Sequence, residues 1–375
     1  MSRLSSLSQI ILFAAIFGLA TSCQKDQEDI VPDGKSTVED GKSVSPGVTT
    51  VQANYFKNLF NLFGDGWTGG DGAYSIPLPD GRLLWTFGDS FLGTVNPDYS
   101  RSGPLVNNLF VVQDGDNLTT LMGGTSEDPE AFVTPWNNPS HWYWPGDGIV
   151  IEDQLYVFML RVRSTGEAGV FGFETVGTDM AVFSLPDLEL VEQYAVARSY
   201  KYLMGVSLFR EDDFVYVYGT QSSLGKAALA ARFNVNDPET ITYWNGTDWG
   251  DEFVGDAYMT RDNGENLFVS NQFKVFKWND NYRLLVQDDF FRSAIRVYRS
   301  DSPTGPWSNP ITIYNTPETG EDGGNIFTYN AFAHPHIIDP DKGMLVTYSV
   351  NTFDFFSLFQ DARLYRPRFL WVKPS

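Results

Sequence analysis

One pattern recurs five times along this chain: two apolar, strand-like runs joined by a short polar turn. One turn aspartate from each unit lies at 80, 153, 212, 280 and 341, so successive units stand 73, 59, 68 and 61 residues apart. In the first unit, residues 73–79 form one run and 83–87 the other. Pro79-Asp80-Gly81-Arg82 between them supplies turn residues. Later units turn at Asp153-Gln154, Glu211-Asp212-Asp213, Asn279-Asp280-Asn281 and Asp339-Pro340-Asp341-Lys342-Gly343. Between the hairpins lie further strand candidates, at 180–185, 227–233, 294–298 and 365–372. No long stretch with a helical apolar period follows the N-terminal segment.

A hairpin plus one or two outer strands, repeated at this interval, predicts four-stranded blades around an axis. The expected fold is all-β, a five-bladed β-propeller. A β-sandwich is the competing all-β reading, but it does not need the regular spacing. Residues 363–372 are expected to close the ring against strands near 55–63, because an open ring leaves unpaired edges.

In an antiparallel hairpin the start of the first strand lies beside the end of the second. In the first unit this sets Asp71 and Asp89 at one edge, each next to glycines that allow close approach. Across the five units, the residues before the first strands are Asp71, Asp147, Gly205, Gln272 and His334. Those after the second strands are Asp89, Arg161, Gln221, Asp288 or Asp289, and Asn351. If the units are blades, both sets fall on one acid-rich mouth. For each aspartate the bland alternative is an Asx-turn or a cap. Arg161 either orients a carboxylate or only pairs with one. Trp142, Tyr143 and Trp144 sit in what reads as a Pro/Gly/Asn loop leading to the mouth, and flat aromatic faces suit sugar rings. Packing against a neighbouring blade is the alternative. His334 and His336 share a face if they lie on a strand. With three histidines and no HExxH spacing, hydrogen bonding to a substrate is the expected role of His334, and no metal ligand is assigned. No cofactor is expected; a structural cation in a central channel is left open.

Residues 1–22 read as a signal peptide: Arg3, an apolar run over 10–20, then Ala20-Thr21-Ser22-Cys23, which resembles a lipobox. Eleven apolar residues are too few to cross a bilayer about 30 Å thick. Cys23, the single cysteine, is the expected lipidation site, and disulfides and thiol catalysis are thereby excluded. An ordinary secretory signal is the alternative. Residues 23–50 read as a flexible tether and 51–375 as the propeller domain. The expected location is the outer membrane, exposed at the cell surface or facing the periplasm, held only by the lipid. The net charge of −21 repels phosphate backbones and argues against nucleic acid, in favour of a neutral or cationic partner. A monomer is expected.

Some letter matches lack their mechanism. Gly64-x-Gly66-x-x-Gly69 precedes a hairpin instead of opening a helix, and Asp114-x-Asp116 lacks the other ligands of a calcium loop. There is no GxSxG elbow or phosphate loop.

Trp67-Thr68-Gly69-Gly70-Asp71-Gly72, Phe87-Gly88-Asp89-Ser90-Phe91 and Ala333-His334-Pro335, with Leu345-Val346-Thr347-Tyr348-Ser349-Val350-Asn351, resemble bacterial secreted domains of unknown function 4185 and 5005. Those are similar to five-bladed propeller glycoside hydrolases of the arabinanase and fructosidase type. The resemblance covers roughly residues 55–372. It implies a base aspartate in the first blade, a pKa-tuning aspartate in the second and an acid glutamate in the third. Asp71 and Asp147 match the first two. Leu203-Met204-Gly205-Val206 offers no carboxylate for the third, so Asp89 or Asp289 becomes the acid, or the protein does not hydrolyse.

The resulting expectation is a glycoside hydrolase acting on a neutral, arabinan-like, furanose-containing polysaccharide or oligosaccharide. Asp71, Asp89 and Asp147 carry the chemistry. Trp142, Trp144, Arg161, Gln221, Asp289, His334, Tyr348 and Asn351 hold substrate. The rivals are a non-catalytic glycan-binding lipoprotein and an interaction platform for another outer-membrane protein.

Overall fold

The structure, a computed structural model, describes residues 45–167, 172–197, 202–221, 226–255, 257–288 and 292–373. The signal, most of the tether, Cys23 and Asp289 lie outside the described residues. Alternating and continuous apolar runs make this an all-β chain. The described residues form five antiparallel sheets of four or five strands, with smaller strand pairs and a triplet between them. Each larger sheet starts with one of the five hairpins. The first strands are Tyr74–Pro77, His141–Ile151, Tyr202–Glu211, Phe273–Trp278 and Ile326–Asp339. Each touches the next, and the last touches the first, so the innermost strands enclose an axis. Apolar side chains fill the spaces between neighbouring sheets. Ile76, Phe110, Val157 and Phe183 share one such cluster, and Tyr218, Phe273 and Leu284 share another.

The circle is sealed by strands from opposite ends of the chain. Arg368–Lys373 pairs with Gly343–Thr352 on one side and with Thr49–Gln52 on the other. The segment expected to supply that last strand, 55–63, is instead largely helix, Asn54–Leu59. Its Phe56 and Phe60 stack on Phe369, and Phe60 also meets Trp67 and Trp85 edge-on. An i, i+4 aromatic pair presents one face of a helix, which explains why this stretch caps the first and fifth sheets from outside. Thr49 and Thr50 therefore belong to the folded domain, although they fall in the expected tether.

Several first strands run further than the hairpin pattern shows. The second begins at His141 instead of 148, with a bulge between Pro145 and Gly148. The fifth begins at Ile326 instead of 336, with bulges between Tyr329 and Phe332 and between His334 and Ile338. Bulges reset which side chains face inward. They decide which of the expected residues reach the mouth.

Candidate active site

Asp71 and Asp89 lie where the first sheet hands over to a small sheet of Trp67–Gly70, Ser90–Leu92 and Leu105–Val106. Gly70 pairs with Ser90, and Gly88 N–H donates to the Asp71 carbonyl at 2.9 Å. The two aspartates are thus trapped side by side between two backbone links. Gly88 has to be glycine: a Cβ there would stand 2.6 Å from Asp71 Oδ1 and 3.5 Å from Trp144 Cδ1.

Both carboxylates open into a pocket of about 720 Å3. Its polar side carries Gln272, Tyr329, Asn351 and Tyr365; its apolar side includes Phe91, Phe173, Phe327 and Phe355. Lys226 adds a cation. The Tyr329 hydroxyl donates to Asp71 Oδ2 at 2.6 Å, and Asn351 Nδ2 donates to that hydroxyl oxygen at 3.2 Å. Gln272 Nε2 donates to the Gly72 carbonyl at 2.7 Å, tying the fourth sheet to the loop that holds Asp71. Trp144 Nε1 donates to Asp89 Oδ1 at 2.9 Å and Asn107 Nδ2 to the same oxygen at 3.2 Å. Trp144 packs edge-on against Phe173, centroids 4.8 Å apart.

These surroundings split the two acids. Both keep partial solvent access, yet protein walls dominate their environment. Burial raises the Asp71 carboxyl, against hydroxyl donors from Tyr329 and Tyr365 that favour its ionised form. Asp89 is pushed up to about 7, first by burial and then by the Asp71 charge; the Trp144 and Asn107 donors only partly offset this. Burial thus raises both carboxyls, and the charge on Asp71 adds to the rise at Asp89. A carboxylate with hydroxyl donors beside a carboxylic acid is the equipment of general acid–base chemistry.

The remaining expected residues distribute differently. Asp147 is not brought to this pocket. The strand runs through it and the bulge turns it into the axis. There it is 1% exposed, bound to Lys274 Nζ, and accepts from Leu208 N–H at 2.7 Å and Gly148 N–H at 3.0 Å. His334 lies mid-strand, fully buried. Its Nδ1 contacts Ser75 Oγ at 2.5 Å and its Nε2 contacts Thr347 Oγ1 at 2.9 Å; burial holds it well below the usual histidine range, so it is neutral. Arg161 is buried against Asp179 at 2.9 Å and donates to His141 Nδ1 at 2.9 Å, away from the pocket lining. Trp142 stands edge-on to Trp144, one residue-pair off the lining, and neither it nor Gln221 lines the pocket. The Tyr348 hydroxyl donates to Glu318 at 2.9 Å in a separate cavity. Asp288 pairs with Arg296 at 2.6 Å. Asp71, Asp89, Trp144, Gln272 and Asn351 are the expected residues that the fold collects.

Tyr329 and Tyr365 were not visible in the sequence. Tyr329 owes its position to a bulge with Asn330 at φ 56°, and Tyr365 to a short 3-10 turn, Ala362–Tyr365. Neither has a motif. The run Phe353-Asp354-Phe355-Phe356 after a strand end was a usable hint, since Phe353 and Phe355 both line the pocket.

The family model described as a domain of unknown function, DUF5005, matches residues 53–374. The chain belongs to the DUF5005 family. The match starts just after the closing strand Thr49–Gln52 and takes in the whole of the candidate site. No curated protein matches the sequence. A crystal structure of a candidate hydrolase from Bacteroides ovatus ATCC 8483 is similar in fold, with a TM-score of 0.75 and 21% identity over 90% of this chain and 96% of that one. A GH43_1 enzyme from Xanthomonas citri follows at a TM-score of 0.49, 12% identity, and 86% and 90% coverage. An exo-β-1,3-galactanase from Phanerochaete chrysosporium, crystallised as a variant with β-1,3-galactotriose, matches at 0.45 and 13% identity over 86% and 64%.

Proposed function

We propose that this DUF5005 protein is a glycoside hydrolase built on a five-bladed β-propeller. The observation that carries this reading is the Asp71–Asp89 pair in the lining of a sugar-sized pocket, with Asp89 pushed up to about 7 by burial and by the Asp71 charge. Asp89, as the acid, protonates the glycosidic oxygen, and the C–O bond breaks toward the leaving alcohol. Asp71, ionised and steadied by Tyr329, acts as base toward water or as nucleophile at the anomeric carbon. Trp144 sits between the two roles: its ring lines the pocket while its N–H holds Asp89. The substrate reading remains a neutral, arabinan-like glycan met at the surface of a cell to which Cys23 anchors the chain; no cofactor takes part.

Asp71→Asn is expected to lower sugar release by at least 10^3-fold, roughly the loss seen when a unit of catalytic machinery is broken, while glycan binding survives. Release of reducing sugar from a panel of polysaccharides measures the first and calorimetry the second. Unchanged release by the variant would sink the assignment. A non-catalytic glycan-binding protein is favoured by one observation: Leu203, not an acid, lines the pocket on the third sheet. That reading requires no sugar release from any glycan and loss of binding on Trp144→Ala.

A further inference from the structure

The chain carries a net charge of −21, yet one concavity on it is basic. A second cavity, of about 590 Å3, lies between the closing strand Thr49–Gln52, the helix Asn54–Leu59 and residues 363–370. Lys57, Arg363, Arg366 and Arg368 line it, and Glu318 is the one acid in that lining. Glu318 is already engaged, accepting from Arg368 Nε at 2.7 Å and the Tyr348 hydroxyl at 2.9 Å. Arg363 is held by both oxygens of Asp361, at 2.8 and 2.7 Å.

The other two cations meet no carboxylate in their described contacts. Arg366, 5% exposed, donates to the Thr68 carbonyl at 2.8 Å, to Asn61 Oδ1 and to the Leu62 carbonyl, all neutral acceptors. A guanidinium has five N–H donors, so two are left over. The Lys57 ammonium reaches the Gln52 side chain at 3.4 Å. A buried guanidinium whose hydrogen-bond acceptors are all neutral is costly, and an anion in the cavity relieves that cost.

The cavity is much larger than a lone anion needs, and it also carries Tyr99, Tyr314 and the amides of Asn58 and Asn61. Amide groups able to meet sugar hydroxyls therefore accompany the charge. A single 3-10 turn separates it from the aspartate pair: Tyr365 lines the pocket, while Arg363 and Arg366 line the basic cavity. We infer that this cavity binds a carboxylate-bearing sugar, a uronic acid unit carried as a branch on the otherwise neutral glycan whose main chain engages the neighbouring pocket. The overall charge disfavours polyanions over most of the surface, whereas this concavity suits an acidic branch.

Isothermal titration calorimetry on the intact chain with trigalacturonic acid, its methyl ester and acetate tests this, whether or not the aspartate pair is catalytic. The acid is expected to bind, and the neutral ester to bind at least tenfold more weakly. Lys57→Glu should weaken the acid roughly tenfold, the size of one reversed charge near solvent, and leave the ester unchanged. Lys57 is exposed, so its melting temperature serves to confirm folding. Raising the ionic strength should erode the preference for the acid. No binding of the acid, equal binding of acid and ester, or no effect of Lys57→Glu together with Arg363→Ala overturns the proposal. Acetate displacing the trisaccharide at equal concentration overturns the sugar assignment.

Discussion

The proton held by Asp89 sets how the site responds to pH. Its carboxyl is pushed up to about 7, so activity that needs the protonated acid should fall as pH rises through neutrality. The Trp144 bond favours the ionised form of Asp89. Trp144→Phe should therefore move the alkaline limb of the kcat/KM profile upward. Tyr329 favours ionised Asp71, so Tyr329→Phe should move the acid limb upward as well, toward neutrality. A profile with neither limb displaced would detach these partners from the chemistry. Stability carries the same sign. Because the folded state holds the Asp89 proton more tightly than the unfolded chain, the contribution of Asp89 to stability declines as pH rises from about 4 to about 7. Asp89→Asn removes that penalty. Thermal melts should show the variant more stable than wild type at pH 8 and no such gain at pH 4.

At the scale of elements, the strand His141–Ile151 shows how one irregularity changes a residue's role. Its aromatic run is strand, not loop, and alternation buries Tyr143 while Trp142 and Trp144 share the opposite face. The bulge after Pro145 then turns Asp147 toward the axis, where it meets Lys274 of the fourth sheet. Lys274 Nζ also donates to the Leu208 carbonyl at 2.9 Å and lies 5.1 Å from the Phe332 ring. The ion pair cross-links the second, third, fourth and fifth sheets at the waist. Lys274→Met leaves a buried carboxylate without its cation and should cost about 3–5 kcal/mol in urea unfolding. Adding Asp147→Asn should recover part of that loss, because the amide oxygen still accepts the Leu208 N–H. If the single variant unfolds like wild type, the waist does not depend on this pair.

For the whole molecule, closure is the weak point. The strand Thr49–Gln52 is the fourth of its sheet and comes from the opposite end of the chain. A chain starting at residue 53 should expose the edge of Arg368–Lys373, melt several degrees lower and aggregate. Equal melting temperatures for the two chains would show that the seal contributes nothing. Five hairpins and their turns were readable because a hairpin is local: Glu211 pairs with Phe214 and Asp339 with Gly343, within reach of sequence patterning. The apolar run Leu83–Phe87 and the glycines around Asp71 and Asp89 carry the first half of the site for the same reason. The helix Asn54–Leu59 is not legible in the sequence because its aromatic spacing also fits a strand, and only its packing on Phe369 decides between them. His334 and Asp147 were assigned to the mouth because the pattern begins the fifth and second strands too late; whether a strand continues past the end of its hydrophobic run depends on a partner far away in the chain.

By itself the sequence determined the all-β character, the five hairpins and the pairing of Asp71 with Asp89, since each follows from residues that are near neighbours along the chain or across one turn. The tertiary structure alone decided that Tyr329 and Tyr365 stand over Asp71, that Asp147 sinks into the axis and His334 between the fifth and first sheets, and that a basic cavity opens beside the pocket. Those outcomes depend on bulges and on contacts between segments hundreds of residues apart, where side-chain direction is set by the register of a partner strand and not by local preference.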